Sequence, residues 1–266
     1  MPKDWDDEYA NSPHIPGAEA IRARFAPDAA AFRAGAAARL DVPYGTGARE
    51  RFDLFLPQGT PKGLAVYIHG GYWMMSDKSE WSHFAAGCVA RGFALAMPTY
   101  ELAPAARLAS IARQVASSIG AAAGEIAGPI VITGHSAGGQ LAARLMSGAP
   151  LLPKPVLSRV RRVVAISGLF DLRPLMRTRM NETLKIDLAE AHAESPALLE
   201  PLEGPVFVAW IGGIERPEFM RQAALIANVW SGFDVRREHR WRPGATISTS
   251  RALKDPESDL VAALVG

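Results

Sequence analysis

Short, near-continuously apolar runs bounded by glycine or proline alternate along the chain with longer segments of helical apolar spacing. AVYIHG (65–70), FALAMPTY (93–100), PIVITG (129–134), RVVAISG (162–168) and PVFVAWIGG (205–213) form the first class. Runs apolar on both faces predict strands inside a parallel sheet covered by helices. RFDLFLP (51–57) instead alternates polar and apolar with period two, which predicts a half-exposed edge strand. Helices are expected at about 79–91, 106–123, 137–148, 217–230 and 257–265. The alternation predicts an α/β fold, with a mostly parallel central sheet and helices on both faces.

Two segments break this rhythm. Residues 1–40 are alanine-rich, with prolines at 13, 16 and 27, and are expected to drape short helices over the domain as an N-terminal arm. Residues 171–204 are too long for a plain connection and predict a cap-like insertion, either over a site or as surface decoration. The 266 residues otherwise suit a single domain, since open α/β sheets reach roughly 250 residues as one unit.

The sharpest chemical signal is Gly134-His135-Ser136-Ala137-Gly138, a G-x-S-x-G placed directly after a predicted strand and before a predicted helix. A serine at such a turn is held in a strained conformation, and glycines two residues to either side avoid the resulting clashes. The turn presents Oγ at the carboxyl edge of the sheet, where open α/β folds bind ligands. Ser136 is therefore the expected nucleophile. His69-Gly70-Gly71-Tyr72-Trp73 ends an earlier strand, where a Gly-rich loop supplies N–H donors for a tetrahedral oxyanion. Gly70, Gly71 and the N–H of Ala137 are the expected oxyanion hole. Tyr72 and Trp73 are candidates for a substrate pocket, together with Trp81, although packing of the loop fits these three equally well, and His69 is expected to brace the loop. A simple βα turn would also place two glycines here, but it leaves the pairing with GHSAG unexplained.

HGGYW, YELAP (100–104), GHSAGG (134–139), SGLFDLRPL (167–175) and GGIERPEF (212–219) together resemble the α/β-hydrolase fold. Within it they are similar to the hormone-sensitive-lipase-like esterases and most of all to the kynurenine formamidase (arylformamidase) branch, which the arm segment EYANSPHIP (8–16) also resembles. That resemblance implies hydrolysis of a carboxylic ester or an N-formyl amide through an acyl-enzyme, with no cofactor and no metal. It carries the role of triad acid onto Glu215, which follows PVFVAWIGG. A helix N-terminal residue before Pro217 is the plainer reading of the same position, and Asp171 is the runner-up acid.

The resemblance also implies a histidine after the last strand, FDVRREH (233–239). Between it and the final helix stands RWRPGATISTSRALKDP, which contains none. Of the histidines at 14, 69, 83, 135, 192 and 239, only His239 lies near the expected place, several residues early, so it is the fallback base. A surface histidine at a strand end fits it equally well. The genetic code suggests a different origin for the gap. Thr246-Ile247-Ser248-Thr249-Ser250 can be written ACC ATT TCA ACG TCN, and the last base of a GCC codon for Ala245 shifts this string to CAC CAT TTC AAC GTC. It then reads His-His-Phe-Asn-Val, the kind of segment the resemblance requires. Residues 240–250 are on this reading a frame-shifted patch, and the alternative is an impaired or purely ligand-binding member of the fold.

Charge and cysteine content narrow the setting. Lys and Arg number 29 against 27 Asp and Glu, a formal charge of +2, which excludes a dedicated nucleic-acid binder of the usual strongly basic kind. The basic stretch RREHRWR (236–242) overlaps the suspect patch and implies no partner. Cys88 is the single cysteine and excludes an internal disulfide; it is expected to be buried and inert. With an acidic, aromatic start and no apolar run of membrane-spanning length, the chain is expected to be cytoplasmic and to avoid membranes. The expected partner is a small ester or formamide substrate, with a homodimer left open. GTGARE (45–50) begins like a dinucleotide fingerprint but precedes a strand and lacks the third glycine.

Overall fold

The structure, a computed structural model, describes residues 3–233, 236–242 and 247–266, except for the side chains of 237, 239, 241, 242 and 247–249. Eight strands form one sheet: β1 (Ala38–Pro43), β2 (Arg51–Phe55), β3 (Leu64–Ile68), β4 (Ala94–Pro98), β5 (Ile130–His135), β6 (Val160–Ile166), β7 (Val206–Gly212) and β8 (Arg237–Arg242). Their spatial order is β1-β2-β4-β3-β5-β6-β7-β8. β1 and β2 are antiparallel, β2 runs antiparallel to β4, and β4 through β8 are parallel.

The helices are α1 (Trp5–Tyr9), α2 (Ala18–Ala23), α3 (Phe25–Gly35), α4 (Ala86–Ala90), α5 (Leu108–Glu125), α6 (Ala137–Arg144), α7 (Lys154–Leu157), α8 (Asn181–Leu184), α9 (Leu188–Ala193), α10 (Pro217–Val229) and α11 (Asp259–Val265). Successive strand residues point to opposite faces. Leu64, Val66 and Ile68 belong to the buried cluster that includes residues of α5, α6 and α10, whereas Ala65 and Tyr67 belong to the one that includes residues of α3, α4 and α11. No helix among the described residues is long and apolar enough to cross a membrane, and Cys88 is buried, its thiol pushed up to about 12 by burial.

Two expectations change. RFDLF is not an edge strand, because β1 covers its outer side; Asp53 is consequently buried and meets the Lys78 ammonium at 2.9 Å. The 79–91 helix breaks into two 3-10 turns, Lys78–Glu80 and Ser82–Ala85, followed by the short α4. Residues 171–204 fold as short helical turns packed against α1, α6 and α10. There Glu194 pairs with Arg144 at 3.1 Å, and the Gln222 carboxamide oxygen accepts from the Phe170 and Asp171 N–H groups at 2.7 Å each.

Candidate active site

The elbow follows from where β5 ends and α6 begins. Ser136 sits between them at φ 56°, ψ −117°, a conformation an L-residue adopts only under constraint. Its N–H donates to Ile166 O at 2.8 Å, and its carbonyl accepts the Gln140 N–H at 3.0 Å. The flanking glycines are dictated by backbone contact. A Cβ on Gly134 would lie 2.2 Å from Gly138 O, and one on Gly138 would lie 2.0 Å from Ile68 O. α6 is thereby pressed against the end of β3, with the Ala137 N–H in its first turn, where no intrahelical acceptor exists.

The expected oxyanion loop lies directly against this turn. A Cβ on Gly70 would stand 3.3 Å from Ser136 Cβ. Gly71, at φ 113°, accepts from the Met74 and Met75 N–H groups at 3.0 Å each, and Tyr72 (φ 49°), Trp73 (φ 55°) and Ser76 (φ 82°) follow in left-handed conformations. Such clustered strain persists only where the surroundings fix it. His69 supplies part of that fixing: its Nδ1–H donates to Gly70 O at 2.7 Å, and its ring stacks on Tyr100 at 4.4 Å. Burial pushes its imidazole down to about 4, so it stays neutral and serves as the brace the sequence suggests.

Of its two expected roles, pocket wall and loop packing, Trp73 takes the second. Its side chain is fully buried in the core and its Nε1–H donates to the Gln140 side chain at 3.1 Å, so it anchors the loop and is not a pocket wall. Tyr72 does line the cavity above Ser136, with its hydroxyl donating to Tyr9 O.

Glu215 lies just beyond β7, buried at the same edge of the sheet. Oε1 accepts from Ser167 Oγ at 2.7 Å and from the Gly212 N–H at 2.9 Å, and Oε2 accepts from Asn11 Nδ2 at 2.9 Å. Burial raises its carboxyl above the ordinary carboxylate range, against the pull of these three donors. Asp171 is instead gripped by the Arg173 guanidinium at 2.9 and 3.0 Å, which makes it a loop anchor. The ends of β5 and β7 are separated by β6, two strand spacings or about 10 Å, so Ser136 and Glu215 need a third group between them.

No described histidine fills that place. His239 sits inside β8, in one row with Gly134, Ala165 and Ala209. Three strand spacings put its backbone about 14 Å across the sheet from β5, beyond an imidazole's reach of Ser136. The fallback base is therefore corrected on backbone grounds alone. His135 is buried and pushed down to about 4 by that burial, without a bond to Ser136. His14 pairs with Asp7, His83 packs on Phe25 and Phe84, and His192 is exposed on α9. Of the suspected frame-shifted patch, residues 243–246 and the side chains of 241, 242 and 247–249 lie outside the described residues. Among the described residues no cluster of His, Cys, Asp or Glu could hold a metal ion.

A cavity of about 500 Å³ opens over Ser136, and the N-terminal arm forms its far wall through Tyr9, Asn11, Ile21 and Phe25. None of its lining comes from 171–204, so the arm takes the position proposed for a cap over the site. The arm is fastened at Glu215 and the start of α10. The Tyr9 hydroxyl donates to Glu218 at 3.1 Å, Glu8 accepts the Glu218 N–H at 3.1 Å, and Asn11 holds both Glu215 and the Arg216 N–H. Sequence reasoning missed Asn11 and Ser167 as hydrogen-bond partners of Glu215. EYANSPHIP, with a buried tyrosine and asparagine in an otherwise acidic arm, was the available signal.

Residues 65–264 match the alpha/beta hydrolase family. Kynurenine formamidase of Salmo salar is 31% identical over 194 residues, 69% of this chain and 65% of that protein. Its counterpart from Danio rerio is 32% identical over 163 residues, 59% of this chain and 55% of that protein. The matched region thus spans less than two thirds of either relative. Among solved structures, a Silicibacter sp. TM1040 protein provisionally called a thioesterase superposes with a TM-score of 0.94 at 46% identity, over 100% of both chains.

Proposed function

The chain belongs to the alpha/beta hydrolase family, and on that premise we propose that it is a serine hydrolase cleaving a carboxylic ester or an N-formyl amide through an acyl-enzyme on Ser136. The observation that carries this reading is the backbone of Ser136, forced to φ 56° under the Gly70-Gly71 loop at the floor of the cavity. Oγ attacks the acyl or formyl carbon as its proton passes to a base. The tetrahedral oxygen accepts from the N–H groups of the Gly70-Gly71 loop and of Ala137, at the positive end of α6. Collapse expels the alcohol or amine with the transferred proton, and water repeats the sequence to free the acid. Glu215, held by Asn11, Ser167 and Gly212, orients the base and stabilises its cationic form. The kynurenine formamidase relatives favour an N-formyl aryl amide such as N-formylkynurenine. A cytoplasmic setting fits the single buried cysteine.

A second reading, a ligand-binding member with little or no turnover, is favoured by one observation. His239 is locked in the middle of β8 and no histidine follows it in the sequence. In a chain carrying His-His-Phe-Asn-Val at 246–250, Ser136→Ala is expected to abolish hydrolysis of p-nitrophenyl acetate and N-formylkynurenine. Hydrolysis that survives the substitution would overturn the assignment of Ser136, and a restored chain that still fails to hydrolyse would favour the binding reading.

A further inference from the structure

The walls of the cavity are mostly apolar, with Tyr9, Ile21, Phe25, Met75, Trp81 and Phe219 among them. Three lining side chains are charged: Glu19, Arg22 and Glu80. Glu80 is committed, since its Oε1 accepts the Asp77 N–H at 3.0 Å. Arg22, on α2, forms no ion pair among the described residues, and its guanidinium meets only Met75 Sδ at 4.0 Å. Its neighbours on the arm are engaged: Arg24 bonds Asp28 at 3.1 Å and Arg33 bonds Ser82 Oγ at 2.7 Å. Glu19 lies one turn before Arg22 on the same helix without closing an ion pair to it.

We infer that Arg22 is a specificity-determining residue, which receives a carboxylate carried by an otherwise apolar substrate away from its scissile carbonyl. A guanidinium presents planar, paired N–H donors that match a carboxylate. An unpaired one on an apolar wall gains more from an anionic substrate than from a neutral one. Because Arg22 is exposed, the gain is that of a rim charge pair and not of a buried one. The inference rests on the cavity being the substrate site, and it is independent of whether the chain completes a turnover.

Binding tests it without catalysis. Titration of the whole chain with 4-phenylbutyrate and with its neutral amide, 4-phenylbutyramide, is expected to show the carboxylate held about fivefold tighter at low salt. Arg22→Met should erase that preference and leave amide affinity unchanged, while Glu19→Gln should keep or increase it. Equal affinities in the unaltered chain, failure of both ligands to bind, a preference that survives Arg22→Met, or one lost in Glu19→Gln would each overturn the inference. A chain that hydrolyses esters yet shows no such preference would overturn this inference alone, and one that shows it without hydrolysing would leave only the catalytic proposal in question.

Discussion

Gly138→Ala is expected to destabilise the protein by about 3 kcal/mol or more, at the upper end of overpacking effects, and to remove any esterase activity with it. The added Cβ would fall 2.0 Å from Ile68 O and 2.6 Å from His69 O, both backbone atoms at the end of β3. Neither can yield unless α6 moves off the sheet, and α6 carries the Ala137 N–H and closes the turn that holds Ser136. The control lies in α5, where a Cβ on Gly120 meets nothing within 4 Å. Gly120→Ala should therefore stabilise by roughly 0.5–1 kcal/mol, the helix-interior difference between the two residues. Urea unfolding of both variants checks the contrast, and a Gly138→Ala protein within about 0.5 kcal/mol of the unaltered chain, as surface substitutions usually are, would contradict it.

A gain of about 10³-fold or more in kcat/KM for p-nitrophenyl acetate is expected when His-His-Phe-Asn-Val replaces residues 246–250, because a nucleophile without its base loses most of the triad's rate. The sequence as written offers no histidine beyond His239, and His239 is fixed in a strand three positions across the sheet from β5. The other groups proposed for the triad lie together at one edge of the sheet. Ser136 is strained into place, the Gly70-Gly71 loop lies against it, and Glu215 is buried and held by three donors. Ile247→His alone serves as a second variant with a smaller disturbance of the chain. Codons at 245–250 that match the shifted spelling would mark the patch as a reading-frame lesion. A folded restored variant less than about tenfold faster than the original would contradict the expectation, since positioned general bases contribute 10²–10⁴-fold.

What the sequence revealed followed the strength of its physical signal. The central strands were legible because burial on both faces leaves continuous apolar runs, as in β3 and β4, where every residue is buried. β1 was not legible, because ARLDVP is an outer strand with mostly exposed or half-exposed side chains and no apolar period to read. The elbow was legible because its glycines are demanded by backbone contacts within a few residues of Ser136 and by β3 beneath. The supports of Glu215 were not, since Asn11 reaches it across 204 positions of sequence. The role of Trp73 stayed open because an aromatic residue after a glycine loop fits a core as well as a pocket. His239 needed the register of β7 against β8, which no local pattern encodes.

The central claim is that Ser136 becomes acylated, and covalent trapping tests it most directly. After exposure to diethyl p-nitrophenyl phosphate, peptide mass spectrometry should find a single diethylphosphoryl adduct on the peptide containing Ser136. It should form slowly in the chain as written, faster with the histidine segment restored, and not at all in Ser136→Ala. An adduct on another residue, or equal labelling of the Ser136→Ala chain, would contradict the account.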